Sequence, residues 1–212
     1  SNMELASAGN KLTIETDYPW DGRVKISVAE SPETSWSLSL RMPGWSRNSS
    51  FKVNGQDVNS NSQKGYMTME RLWKAGDTVE IDFAMSPFLV EANPRVDSVR
   101  GCVAIQRGPL VYCLEEHDQE QEVNLLDMKI DISEQLTGRW NGEVLGGVMM
   151  IEGTGYQQDR SHWPEQELYR PLILENQDRN SARKVKLAAI PYFAWGNRGL
   201  KSMRVWIPYI RS

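Results

Sequence analysis

The sequence predicts an all-β protein made of two consecutive antiparallel β-sandwich domains of the jelly-roll kind. Three observations support this fold class. Apolar and polar residues alternate at the strand period, turn signals containing glycine recur about every 10 to 15 residues, and no apolar helical stripe is longer than two turns. Such a pattern is typical of short strands whose apolar sides face one another.

The first half of the chain shows the alternation most clearly. Strands are predicted at Leu12 to Ile14, Val24 to Val28, Trp36 to Met42 and Val79 to Met85. The segment from Phe51 to Val58 predicts a tight hairpin, because its central Asn54-Gly55 pair suits a type I′ turn, in which both residues have positive φ.

Two apolar strands, joined by Arg107-Gly108-Pro109, are predicted between Gly101 and Glu115. The acidic residues 116–122 that follow have no strand period and are expected to be exposed. We therefore place the domain boundary there, with a middle sandwich at residues 1–115 and a C-terminal sandwich at residues 116–212. Strands of the second domain are predicted at Met128 to Ile132, Gly147 to Ile151, Val185 to Ile190 and Met203 to Ile207.

Composition narrows the functional classes. The net charge of -4, with acidic and basic residues interleaved, provides no basic stripe for nucleic acid, and no apolar run is long enough to cross a membrane. The two cysteines, Cys102 and Cys113, are expected to be buried inert thiols, and no cofactor or metal site is predicted in this chain. Ser1-Asn2-Met3 has the form of a remnant of protease cleavage, so the natural N terminus is expected upstream. The compartment is not fixed by the sequence, with a lean towards the periplasm or secretion.

No catalytic constellation is convincing. His117 and His162 both lie in polar stretches and are expected to be solvated. Two carboxylates facing each other across a sugar would suffice for glycoside hydrolysis, but solvated surface acids are the favoured interpretation of the candidates, which are Glu91, Asp97, Glu115 and Glu116.

A binding site is easier to support, because aromatic residues cluster with polar ones in two loops. The first holds Tyr192, Trp195, Asn197 and Arg198, and the second holds Trp163. A flat aromatic face beside donors and acceptors suits a sugar, and it suits a domain interface equally well. These five residues are therefore candidates for either carbohydrate binding or an interdomain contact.

Eight elements along the chain, taken in order, resemble one known family. They are Thr16 to Gly22, Arg41 to Trp45, Val53-Asn54-Gly55, Gly65-Tyr66, Trp73 to Asp77, Asn93-Pro94, Gln106 to Tyr112 and Ile190 to Gly199. In this order they resemble the region that follows the catalytic barrel in the β-L-arabinofuranosidase family, glycoside hydrolase family 127.

The resemblance implies that catalysis takes place in a separate domain. In that family an α/α barrel carries a zinc-bound cysteine nucleophile and acidic residues, and two β-sandwich domains follow it. This chain has neither a helical half nor an adjacent Cys-Cys pair, so no catalytic or zinc residue of the family is carried over to it.

The function that the resemblance implies is a non-catalytic accessory region of a glycoside hydrolase. It would support the catalytic barrel of the same parent chain, help to shape the substrate entrance, and form a homodimer through the barrel-facing surface if that surface is exposed. The alternatives are an independent carbohydrate-binding module for a plant-type glycan and, less favoured, a self-sufficient glycosidase.

Overall fold

The computed structural model describes residues 2–7, 9–46, 48–59, 62–160, 163–164, 166–171 and 182–211. Within these ranges every regular element is a β-strand or a single 3-10 turn, which confirms the all-β class. Over the same ranges no helix has the length and apolar character needed to cross a membrane.

The chain forms two compact units, Ser1–Ser86 (unit 1) and Pro87–Ser212 (unit 2). The sequence analysis expected the boundary after Glu115, but the strand that ends there, β12 (Leu110–Glu115), pairs with two later strands of unit 2. The acidic residues that follow it therefore lie inside unit 2. Their polar composition resembled a linker because the sequence does not show which charges neutralise them.

Unit 1 contains two antiparallel sheets, of six strands in the order β1-β2-β3-β9-β5-β6 and of three strands in the order β4-β8-β7. The strands are β1 Asn2–Ser7, β2 Asn10–Thr16, β3 Arg23–Glu30, β4 Trp36–Arg41, β5 Ser49–Val53, β6 Gln56–Asp57, β7 Ser62–Gln63, β8 Tyr66–Arg71 and β9 Thr78–Phe83.

One hydrophobic core is shared by both sheets of unit 1. Val79 and Ile81 of β9 face it from the larger sheet, and Leu40 and Met67 face it from the smaller one. Trp73 is 1% exposed in this core, where its indole nitrogen donates to a backbone carbonyl. The strand alternation seen in the sequence is thus an alternation between core and solvent.

The predicted hairpin is confirmed. Asn54 and Gly55 have φ values of 53° and 76°, between β5 and β6. Asparagine and glycine tolerate this left-handed region better than other residues, which is why their pairing in the sequence indicates this turn.

Unit 2 is built differently from the predicted open sandwich. Strands β11, β18, β13, β15, β16 and β12 pair in that order, and β12 pairs back with β11, so the six strands close into a β-barrel. All pairings around it are antiparallel except the parallel pair of β13 and β18. Closure leaves no open edge and encloses the core. Alternation along the chain is the same for a barrel as for a sandwich, so the sequence could not distinguish them.

Three further strands extend the barrel at its margins, where β10 pairs with β11, β14 with β15 and β17 with β12. The strands of unit 2 are β10 Pro87–Glu91, β11 Cys102–Arg107, β12 Leu110–Glu115, β13 Met128–Asp131, β14 Thr137–Asn141, β15 Val148–Gln157, β16 Arg183–Pro191, β17 Met203–Arg204 and β18 Ile207–Ile210. Its core includes Ile105, Leu114, Met128, Ile151, Leu187 and Ile207.

A candidate aromatic surface on unit 2

Three large aromatic side chains lie on the surface where β16 ends. The segment Tyr192–Trp195, which we call the aromatic turn, begins as a 3-10 turn directly after Pro191. Tyr192, Phe193 and Trp195 are 47%, 55% and 39% exposed, whereas Ala194 between them is fully buried. The rings of Tyr192 and Trp195 are nearly parallel, 13° apart, with their centroids 6.2 Å from each other. The turn therefore exposes the paired rings of Tyr192 and Trp195, and also the ring of Phe193, to solvent.

A buried ion-pair network holds the chain just beyond this turn. The Nη1 and Nη2 atoms of Arg198 donate to the two carboxylate oxygens of Asp118 at 2.8 and 2.6 Å, and Nη2 also donates to Glu115. The other oxygen of Glu115 accepts from the backbone N–H of Gly196 at 3.2 Å. The Glu115 side chain is 0% exposed and that of Asp118 is 7% exposed, so both charges depend on Arg198 for compensation.

The same contacts change the pKa of the Arg198 guanidinium. The hydrogen bonds that Arg198 donates to Asp118 and to Glu115 raise its pKa above the ordinary value, in spite of partial burial, which acts in the opposite direction. Arg198 is thus a permanent cation of the network, and its charge is already engaged within the protein.

Other bonds fasten the same region at several points. The side-chain nitrogen of Asn197 points back to the carbonyls of Phe193, Ala194 and Trp195, at 3.5, 3.2 and 3.4 Å. The amide of Gln119 bridges the 3-10 turn Glu116–Asp118 to Ala188 of β16, with Nε2 donating to the Ala188 carbonyl at 2.8 Å. The aromatic turn consequently stands on a fixed base.

The structure places four of the five candidate site residues on this one loop, and two of them have hydrogen-bond partners within the protein. Tyr192 and Trp195 are exposed, as a binding surface requires, but Asn197 and Arg198 direct their donors into the protein. Trp163 has local contacts: its indole nitrogen donates to the Glu167 carbonyl at 2.5 Å, and the Arg170 guanidinium lies 4.2 Å from its ring centroid.

Glu115 and Asp118 are the site residues that the sequence analysis missed as such. It treated Glu115 as one of several solvated acids, yet topology brings it to an arginine 83 positions away. The only available signal was an arginine in an aromatic loop, which does not identify its partner. Two other carboxylates from that group have cationic partners as well, with Glu116 3.2 Å from Lys201 and Asp97 2.9 Å from Arg100.

Neither cysteine belongs to a metal-binding group in the described part of the chain, where no cluster of three or more His, Cys, Asp or Glu side chains could hold an ion. Burial, followed by the charges of Glu115 and Asp118, raises the pKa of the Cys113 thiol to about 12. A thiol of this kind is neutral at physiological pH and is a poor metal ligand. The zinc that the resemblance assigns to a catalytic barrel does not fit the residues here. His162 lies outside the described residues.

Fold and site together define an all-β protein of two units, one of which carries a rigid aromatic surface. Family models match nearly the whole chain: residues 1–85 match the β-L-arabinofuranosidase, GH127 middle domain, and residues 87–208 match the glycoside hydrolase family 127 C-terminal domain. The chain belongs to glycoside hydrolase family 127. The change from one model to the other coincides with the division between units 1 and 2.

Individual proteins similar to this chain belong to the same family. The chain is 33% identical to a non-reducing end β-L-arabinofuranosidase of Bifidobacterium longum subsp. longum, over 97% of this chain and 31% of that protein. It is similar to the crystal structure of a GH127 β-L-arabinofuranosidase from Geobacillus stearothermophilus T6, with a TM-score of 0.85 and 37% identity over 99% of this chain and 32% of that one. A GH127 β-arabinofuranosidase structure matches with a TM-score of 0.82 and 31% identity, over 99% of this chain and 33% of that one. The chain thus spans about a third of the length of these relatives.

Proposed function

We propose that this chain is the non-catalytic accessory region of a β-L-arabinofuranosidase-like glycoside hydrolase, and that it supports a catalytic α/α barrel in the same polypeptide. Unit 1, with two sheets over one core, is the middle β-sandwich in this proposal. The support is that both matching family models describe domains by their position, middle and C-terminal, and that the relatives are about three times as long as this chain.

The aromatic turn is the contact surface that we propose for the catalytic barrel, close to its substrate entrance. Exposed aromatic groups on a rigid base are enriched at protein interfaces, because they bury a large area with little loss of side-chain entropy. Tyr192, Phe193 and Trp195 have this character, and the network of Glu115, Asp118 and Arg198 fixes their position. This exposed surface, held from beneath by buried charges, is the observation that carries the proposal.

A second candidate function is an independent carbohydrate-binding module with the same turn as its platform. The parallel faces of Tyr192 and Trp195 favour it, since a sugar can stack on a flat apolar surface. The neighbouring polar groups weigh against it. Asn197 donates to backbone carbonyls of the loop, and Arg198 donates to Glu115 and Asp118, so few of their N–H groups remain for sugar hydroxyls.

Substitution in the full-length parent protein distinguishes these functions. We expect Tyr192→Ala/Trp195→Ala to leave the melting temperature of this chain alone nearly unchanged, because both side chains are exposed. It should lower the temperature at which the parent loses activity by several degrees, about 2 to 4 °C per kcal/mol lost for a unit of this size. The matched control is Tyr209→Ala, whose side chain is 39% exposed, as is that of Trp195.

Three outcomes are informative. Loss of parent stability with the control unaffected supports an interdomain surface. Unchanged stability together with loss of saturable glycan binding by this chain supports the binding module. If the double variant changes neither property, the aromatic turn has no role in either function and the proposed contact surface is refuted.

A further inference from the structure

Unit 1 contains two neighbouring cavities that differ in chemical character. The first, with a volume of about 390 Å³, is an aromatic cleft whose lining includes Tyr18, Arg41, Pro43, Trp45 and Phe83. The second, about 750 Å³, is a polar groove. Pro43 and Gly44 line both, so the two cavities adjoin at that turn.

The aromatic cleft has a built platform. The Tyr18 and Trp45 rings are stacked, with centroids 6.5 Å apart and planes 24° apart, and the Trp45 and Phe83 rings pack edge to face with centroids 5.7 Å apart. Phe83 is 7% exposed and belongs to the core of unit 1, so it anchors Trp45 from behind, while Tyr18 is 37% exposed. The cleft therefore offers a flat apolar face whose orientation is set by the core.

The polar groove offers hydroxyl and amide groups. Its polar lining residues are Ser46, Asn48, Ser49, Ser50 and Asp82, its other lining residues are Met42, Pro43, Gly44, Gly65 and Ala84, and the Ser46 and Ser49 hydroxyls are hydrogen-bonded to each other at 2.6 Å. Among the described residues that line the two cavities, the charged ones are Arg41 and Asp82, one of each sign. The described lining thus combines an aromatic face with hydrogen-bonding groups and carries balanced charges.

We propose that these adjoining cavities form a binding site for a neutral oligosaccharide, with one sugar ring stacked on Tyr18 and Trp45 in the aromatic cleft and the next sugar in the polar groove. Each face of a sugar ring carries C–H groups and its rim carries hydroxyls, which matches an aromatic platform beside serine, asparagine and carboxylate acceptors. Each volume lies in the range of ligand sites, about 300 to 1,000 Å³. The balance of charge among the described lining residues favours a neutral glycan over a uronic acid or a sulfated one.

This site is independent of the accessory role proposed above and of the aromatic turn, since it belongs to unit 1. Its failure would leave those proposals standing, and their failure would leave this one standing.

Calorimetric titration of the complete chain tests the proposal, with arabinofuranose oligosaccharides and neutral xylan, glucan and galactan oligosaccharides as probes. We expect saturable binding that Tyr18→Ala weakens about tenfold or more. Trp45 also packs against the core, so we use Trp45→Phe in place of an alanine substitution at this position. Trp45→Phe should keep the fold and weaken binding less than Tyr18→Ala does. Asp82→Asn tests the polar groove and should weaken only oligosaccharides of two or more sugars. Tyr209→Ala in unit 2 is the control and should bind as the unsubstituted chain does.

Circular dichroism and the melting temperature establish that each variant is folded before its affinity is compared. Lack of saturable binding by every neutral probe up to about 10 mM would overturn the proposal, because such affinity is below that of a useful site. It would also be overturned if Tyr18→Ala bound normally, or if Trp195→Ala abolished binding, which would locate the sugar on the aromatic turn of unit 2.

Discussion

Replacement of Arg198 by methionine tests the buried ion-pair network most sharply. The substitution leaves Glu115 fully buried with one remaining donor, the Gly196 N–H, and leaves Asp118 without its bidentate partner. Breaking a buried pair by removing one partner costs about 3 to 5 kcal/mol, but the Arg198 side chain is 27% exposed, so water can partly replace it. We therefore expect Arg198→Met to lower the free energy of unfolding of unit 2 by about 2 to 4 kcal/mol.

A matched control is available in the same unit. Arg139 pairs with Glu152 at 2.6 Å, but its side chain is 57% exposed, and Glu152 keeps Lys186 as a second partner at 3.2 Å. Arg139→Met should therefore cost less than about 1 kcal/mol.

The double variant Arg198→Met/Glu115→Gln removes the stranded charge together with its partner. It should recover part of the stability lost by Arg198→Met alone.

Hydrogen exchange of peptides from β12 and β16 measures the stability of unit 2 separately from that of unit 1. The same peptides report every variant. If Arg198→Met cost no more than Arg139→Met, or if the double variant were no more stable than the single one, the network would not be the support that we describe.

A glycine substitution in unit 1 and thiol labelling in unit 2 test the local packing of the protein. Gly22→Ala should destabilise unit 1 by several kcal/mol, because a Cβ there would lie 1.9 Å from the Phe83 carbonyl oxygen. The control Gly44→Ala should fold normally, because a Cβ at that position would meet nothing within 4 Å. Coinciding melting curves of the two variants would contradict this prediction. Thiol labelling of the native protein at pH 8 should modify Cys102 and spare Cys113, since burial raises the pKa of the Cys113 thiol to about 12 and keeps it protonated. In denaturant both thiols should be labelled. Rapid labelling of both thiols in the native state would refute the burial of Cys113.

Local features of the fold could be predicted from the sequence because their causes are local. The Asn54-Gly55 turn needs positive φ at two adjacent residues, and few residue pairs supply it. Strand β9 was predicted because Val79, Ile81 and Phe83 alternate with polar residues over one short segment.

Long-range features could not be predicted, because alternation does not specify which strands become neighbours. The closure of unit 2 depends on β12 pairing back with β11, and on the parallel pairing of β13 with β18. The difference in the boundary has the same origin, since the pairing of β12 with β16 and β17 brings the strand before the acidic segment into unit 2, and alternation does not reveal that pairing.

The aromatic loop could be recognised in the sequence, but its contacts could not. Three aromatic residues within four positions left core packing, a domain interface and sugar stacking open, and the structure exposes all three. Asn197 and Arg198 were candidates for sugar binding or an interdomain contact from their residue types alone, and their hydrogen-bond partners within the protein depend on side-chain geometry that the sequence does not show.

The accessory role is tested most directly by measuring hydrolysis of an aryl β-L-arabinofuranoside by this chain alone and by its full-length parent protein, at equal molar concentration. We predict turnover by the parent and none above the buffer rate by the chain alone, because the adjacent carboxylates Glu115 and Asp118 are both bound by Arg198 and the described residues contain no cluster of three or more His, Cys, Asp or Glu that could hold a metal ion. Turnover by the purified chain at a rate comparable with that of the parent would contradict the account.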